Sequence, residues 1–167
     1  GIPKKFFFSS TNSQVLRAFN QAIGVLESLG ATPIEISLPL VDMVPHIHSL
    51  ILHAEAASFH QETILDHAEE ITPNVRERLE AGLTVTSSQY IRAQRARALL
   101  QREVHNVFEQ VDVVATPTTS VTAPKLGQDI LTTNKGVEST LLLLRRNTAP
   151  FNGAGVPACT LPCGFDS

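Results

Sequence analysis

Cysteine is scarce in this chain: Cys159 and Cys163 are the only two in 167 residues. In an extended strand, positions four apart lie about 13 Å from each other on one face, whereas a disulfide needs Cα atoms within about 7 Å. The pair is not expected to bond to itself. Both read as buried thiols, and a reducing, cytoplasmic setting fits them. Charge is also thin, at 17% of residues with a net of −3. That balance excludes the strongly basic surface of a nucleic-acid binder and suggests that much of the surface is buried against something. No apolar run approaches the roughly 20 residues that cross a bilayer, and no signal-peptide pattern opens the sequence. Repeats and low-complexity tracts are missing as well. The abrupt Gly1-Ile2-Pro3 opening and the Gly164-Phe165-Asp166-Ser167 close read as cut ends.

What is present suffices for one domain with a real core: 43% of the 167 residues are hydrophobic, and a complete domain of this length buries roughly 70% of its unfolded surface. Residues 1–7 read as a short strand interrupted by Pro3. Asn12 or Ser13 offers an N-cap, and Val15, Leu16, Phe19, Ile23, Leu26 and Leu29 form a helical stripe closed by Gly30. Ile34, Ile36 and Leu38 alternate with Glu35 and Ser37, which predicts a second strand parallel to the first. Pro45 begins a long predicted helix to about residue 69. Thr72-Pro73 begins another, with Gly82 as its stop, and Thr86 with Gln89 forms a capping box for a third running to about residue 110. A buried strand over 111–116, a helix near 137–146 and a strand over 158–161 complete the order. This is a mixed α/β chain, with a largely parallel sheet, flanking helices and a helix-rich insert at about 45–110.

Several clusters invite a chemical reading and resist it. His53, His60 and His67 recur every seven residues, a rise of about 10.5 Å on a helix, too far for a shared metal with bonds of about 2.1 Å. No metal and no cofactor are expected. Arg92, Arg95 and Arg102 lie on one helix face, with Arg97 near, but Glu103 and Glu109 offset them and no aromatic interleaves. A solvated or salt-bridged face is expected there, and no nucleic acid. The glycines at 153 and 155 are no nucleotide fingerprint, since GAGVPA lacks the third glycine and Pro157 blocks the helix that must follow.

Two polar loops remain. Thr116-Pro117-Thr118-Thr119 follows a predicted buried strand, where open α/β sheets collect ligands. Their hydroxyls either line a ligand cleft or satisfy loop backbone groups. Asn147, Thr148 and Asn152 pose the same choice, because Asn152-Gly153 is also a simple turn signal.

Three blocks of sequence carry a resemblance. Residues 145–165, RRNTAPFNGAGVPACTLPCGF, resemble the C-terminal part of the amidase signature family of serine amidases. Residues 111–126, VDVVATPTTSVTAPKL, are similar to that family's Asp-hydrophobic-Thr-Pro-Thr strand and loop. The opening Gly1-Ile2-Pro3-Lys4-Lys5-Phe6-Phe7 is similar to its Gly-Val-Pro-Arg-Asp-Phe strand. The family's nucleophilic serine, bridging serine and lysine base lie upstream of these blocks, in a Gly/Ser-rich region. No Gly-Gly-Ser-Ser-Gly-type segment occurs here: the Ser-Ser pairs are Ser9-Ser10 and Ser87-Ser88, neither flanked by glycine. The lysines, Lys4, Lys5, Lys125 and Lys135, sit in polar surroundings unsuited to the depressed pKa of a lysine base.

The resemblance implies the C-terminal part of an enzyme that hydrolyses a carboxylic amide to acid and amine or ammonia. On this reading the chain holds no catalytic residue. It supplies sheet strands and a substrate-pocket wall drawn from Thr116, Thr118, Thr119, Asn147, Thr148, Phe151 and Asn152. The implied partners are the N-terminal catalytic half of the same protein and a small-molecule amide, with no membrane and no nucleic acid. Strands at 111–116 and 158–161 and the leucines at 141–144 would leave apolar surface uncovered without that half, favouring association with a second copy. Two alternatives stand beside this. One is the A subunit of a glutamyl-tRNA amidotransferase, although the Tyr-Asp-Gly motif found in that protein is missing. The other is a non-catalytic interaction module.

Overall fold

The computed structural model describes residues 1–3 and 5–165. Lys4, part of the expected opening strand and one of the lysines placed in a solvated setting, lies outside the described residues. Strand β1 (Ile2–Pro3) pairs in parallel with β2 (Glu35–Ile36), Ile2 against Glu35 and Pro3 against Ile36. Helix α1 (Ser13–Ser28) makes the crossover. Asn12 caps it by accepting from the Gln14 amide at 2.7 Å, and Gly30 follows its end in the left-handed region at φ 98°. The predicted strand–helix–strand unit is therefore present, with strands of only two residues each.

From Leu38 a 3₁₀ turn (Pro39–Met43) leads into α2 (Val44–Phe59). The turn is held from outside by Glu103, whose two carboxylate oxygens accept from the Leu40 amide at 3.1 and 3.2 Å. The single helix expected to residue 69 is interrupted at His60, after which α3 (Gln61–Asp66) begins. The break lets Ile64 bury while Phe59 is left 84% exposed.

Helix α4 (Pro73–Leu83) starts at Thr72-Pro73 as its sequence indicates, but Gly82 does not stop it. Gly82 is buried inside the helix, where a Cβ would fall 2.1 Å from the His53 carbonyl oxygen of α2. It is a close-approach glycine. Helix α5 (Ser87–Phe108) opens with the predicted capping box, both Thr86–Gln89 bonds being formed.

Beyond α5 the sequence pattern and the structure diverge. Residues 111–116 run beside Gly1, whose carbonyl accepts from the Ala115 amide at 2.9 Å and whose amino group donates to the Val113 carbonyl at 2.8 Å. They form no strand: among the described residues their long-range backbone hydrogen bonds run to Gly1, while Val111 and Val114 pack on the core and Val113 is left 67% exposed. The expected helix over 137–146 is shortened. Its first residues instead belong to an antiparallel hairpin, β3 (Ile130–Thr133) with β4 (Gly136–Ser139), turned at Gly136 with φ 105°. Helix α6 (Thr140–Arg145) then leads into α7 (Ala149–Ala154). Residues 158–161 are exposed and form no strand, since none of the described residues pairs with them. Cys159 and Cys163 are correspondingly exposed and free, not buried.

The core gathers Phe6 and Phe7 from the loop after β1, Ile36 and Leu38 from the second strand region, Val44 from α2, Leu100, Val104 and Val107 from α5, and Ala149 and Ala154 from α7. The architecture is mixed α/β, with a parallel ladder and flanking helices. Among the described residues, no helix is long and apolar enough to cross a membrane.

Candidate functional site

Asn147 sits where the three distant blocks of sequence meet. It is 1% exposed, and its Nδ2 donates to the Pro117 carbonyl at 2.9 Å and the Phe7 carbonyl at 3.3 Å. One amide group thus ties the 116–119 loop and the opening segment to the turn between α6 and α7. Its Oδ1 is buried without a partner among the described residues, as is the hydroxyl of Ser120.

The remaining predicted residues fall around this point unevenly. Thr118 is exposed, its Oγ1 donating to Thr160 Oγ1 at 3.4 Å. Thr119 donates to the Val121 carbonyl at 2.8 Å, and Thr148 to the Arg145 carbonyl at 3.0 Å, so both hydroxyls serve their own loops. Thr116 is half-buried just before Pro117. Phe151 is half-buried rather than fully buried; its ring stacks on Phe7 at 5.7 Å with 27° between planes. Asn152 is exposed and its side chain makes no hydrogen bond among the described residues; it lines a second hollow beside Arg97, Leu100 and Glu55. Of the two asparagines in this segment, Asn147 and not Asn152 ties the loops together.

The sequence pattern does not single out Arg146, yet it organises the adjoining floor. Nη2 donates to the Phe6 carbonyl at 2.8 Å and Ser9 Oγ at 3.1 Å, and Nη1 donates to Ser10 Oγ at 2.9 Å. Its guanidinium lies 4.5 Å above the Phe6 ring, with Glu138 at 4.0 Å. Burial pulls the Arg146 pKa down, while Glu138 and Asp42 oppose that shift. Phe6 itself is held at φ 66°, sparsely populated for a bulky residue, and Arg146 is one of the contacts that hold it. The signal present in the sequence is the Arg145-Arg146 pair abutting an otherwise apolar run.

Ser10 Oγ, which accepts from Arg146, donates to Glu138 Oε1 at 3.3 Å. Ser9 Oγ accepts from Arg146 and from the exposed Lys135 ammonium at 2.9 Å while its own proton goes to the Phe6 carbonyl. Among the described residues its partners are thus two cations and that carbonyl, with no basic side chain to take its proton. Ser87 and Ser88 are exposed at the start of α5.

Between α2 and α6 lies a cavity of about 190 Å³, whose lining includes Phe6, His48, Ser49, Leu142, Arg145 and Arg146. Typical ligand pockets hold roughly 300–1,000 Å³, so this is a partial recess. Burial depresses the pKa of His48, with Arg145 and then His53 adding to it. His53 is lowered by burial, Arg145 and Arg78. Of the seven-residue histidine series, His67 lies near Glu69 and Glu70 in an exposed group whose ligand-type atoms fall within 4.8 Å of one another. Exposed acidic clusters of this kind are common without a metal.

A family model described as Amidase matches residues 1–167. The chain is 34% identical over 166 residues to an amidase of Pseudomonas putida, covering 99% of this chain and 36% of that protein. It is 33% identical over 188 residues to the A subunit of the glutamyl-tRNA(Gln) amidotransferase of Chloroflexus aggregans, covering 99% of this chain and 38% of that protein. Among solved structures, a crystal structure of an amidase superposes with a TM-score of 0.88 at 31% identity, over 94% of this chain and 36% of that one. The chain belongs to the amidase family, the amidase signature enzymes. It spans little more than a third of the length of these relatives.

Proposed function

We propose that this chain is the C-terminal part of a serine amidase that hydrolyses a carboxylic amide to acid and amine or ammonia. It contributes framework and pocket wall, and the nucleophile comes from the N-terminal half of the same protein. The observation that carries this is the Asn147 tie, which holds the loop of Thr116, Thr118 and Thr119 against the turn of Thr148, Phe151 and Asn152. A buried amide bridging two loops fixes their relative position, as a pocket wall requires. Thr118 and Asn152 are the solvent-exposed side chains of these two loops and are the ones that would meet a substrate. The helices of α2 to α5 act as an insert that braces this wall from behind.

The test uses the full-length protein. Thr118→Val and Asn152→Ala should raise KM for simple aliphatic and aryl amides with little change in kcat, as loss of uniform binding does. Absence of amide hydrolysis in the wild-type full-length protein, or unchanged KM in both variants, would refute the assignment. A second reading, the A subunit of a glutamyl-tRNA amidotransferase, is favoured by the 33% identity to such a protein. Ammonia release from glutamine that depends on added partner proteins would select it over a stand-alone amidase.

A further inference from the structure

The cavity between α2 and α6 carries a positive charge that the described residues leave unmatched. Arg146 is engaged by Glu138, Ser9, Ser10 and the Phe6 carbonyl. Arg145 lines the same cavity, and its guanidinium has no ion pair or hydrogen bond among the described residues. Ser49 also lines it, with a hydroxyl that has no partner among them. Phe6, Leu142 and Leu143 make much of the remaining wall apolar. The adjoining His48 and His53 have depressed pKa values, to which Arg145 contributes.

Each alternative occupant leaves one feature unused. A fully hydrated inorganic anion would meet Arg145 but gain nothing from the apolar wall, and a neutral apolar molecule would leave the arginine unmatched. We propose that this cavity is a binding site for an organic carboxylate with an apolar body, with the Arg145 guanidinium as its counter-charge and Ser49 as a second donor. A guanidinium presents a planar fork that matches a carboxylate with two parallel bonds. Partial burial strengthens that pairing relative to open water.

Phenylacetate and its uncharged match 2-phenylethanol, titrated calorimetrically into the full-length protein, test this directly. Phenylacetate is expected to bind at least roughly tenfold more tightly than 2-phenylethanol, a difference of about 1.4 kcal/mol. Arg145→Gln should remove that preference while leaving 2-phenylethanol binding unchanged, and Arg145→Lys should keep part of it. Leu142→Trp, which fills the recess without touching the charge, should weaken both ligands and guards against misfolding of a charge variant. Equal phenylacetate affinity in wild type and Arg145→Gln, or no phenylacetate binding at all, would overturn the site. The carboxylate has two sources, the acid product of the proposed hydrolysis or an independent organic acid. Competitive inhibition by phenylacetate marks the first and non-competitive inhibition the second. Calorimetry reads the site even if the protein hydrolyses no amide, so the two proposals fail separately.

Discussion

Asn147 donates from one amide group to two carbonyls, one 140 and the other 30 residues away in sequence. Removing it leaves both carbonyls without this donor in a closed environment, at about 1–3 kcal/mol for an unsatisfied group. Asn147→Ala should therefore lower stability in urea by at least that amount; a loss below ~0.5 kcal/mol, the usual range of a surface change, would show the tie to be incidental. Phe151→Ala is expected to cost less than the roughly 3–5 kcal/mol of a fully buried ring, because the side chain is only half-buried on Phe7. Histidine sets the pH response. His48 and His53 have folded pKa values below the usual 6.5, so below that pH the unfolded chain binds more protons than the folded one. Stability is then fully present above about pH 6.5 and falls as pH drops through the depressed folded values. The melting temperature should decline from pH 7 to pH 5.5, and the double substitution of His48 and His53 by Gln should flatten that slope; an unchanged slope would contradict it. Glu103, raised by burial, acts in the opposite sense, and the Gly1 amino group, lowered by burial, acts in the same sense, so the change on substituting the histidines, not the slope itself, reports their share. At this scale the sequence names the loop residues but not the division of labour among them. Asn147 and Asn152 look alike as letters, and only packing decides which is buried.

The elements legible in the sequence are those specified by local chemistry. Asn12 and the stripe ending at Gly30 mark α1, and the Thr86–Gln89 box marks the start of α5. Thr86→Ala should cost about 1 kcal/mol, read as a drop in denaturation midpoint. The elements that the pattern misplaces depend on partners distant in sequence. Residues 111–116 and 158–161 carry a strand's apolar pattern yet find no ladder to join among the described residues. The hairpin over 130–139 is hidden because Val137 and Glu138 also continue a helical pattern, and the turn at Gly136 decides between them. Gly82 reads as punctuation in the sequence, whereas it is the contact that lets α4 cross α2. Gly82→Ala should cost at least about 3 kcal/mol, the upper end of overpacking, since the new methyl meets backbone and not a side chain that can move. Retained stability would mean that the two helices can part without loss.

At the scale of the molecule, apolar side chains remain in water on several faces. Leu142 is 50% exposed, Val113 67% and Leu161 77%, and all three fall in the segments expected to lie against the rest of the protein. Only Leu143 of the leucine run is fully buried, at 1%. With this much apolar surface left in water, the isolated chain is expected to self-associate in sedimentation at micromolar concentration, and a stable monomer would show that it closes its own core. The role proposed for these residues is a pocket wall for chemistry carried out by side chains outside them. A fluorophosphonate that traps nucleophilic serines, applied to the full-length protein and mapped by mass spectrometry, tests it most directly. The predicted result is amide hydrolysis abolished by one adduct on a serine outside these 167 residues. An adduct on Ser9, Ser10, Ser87 or Ser88 that abolishes activity would contradict the account.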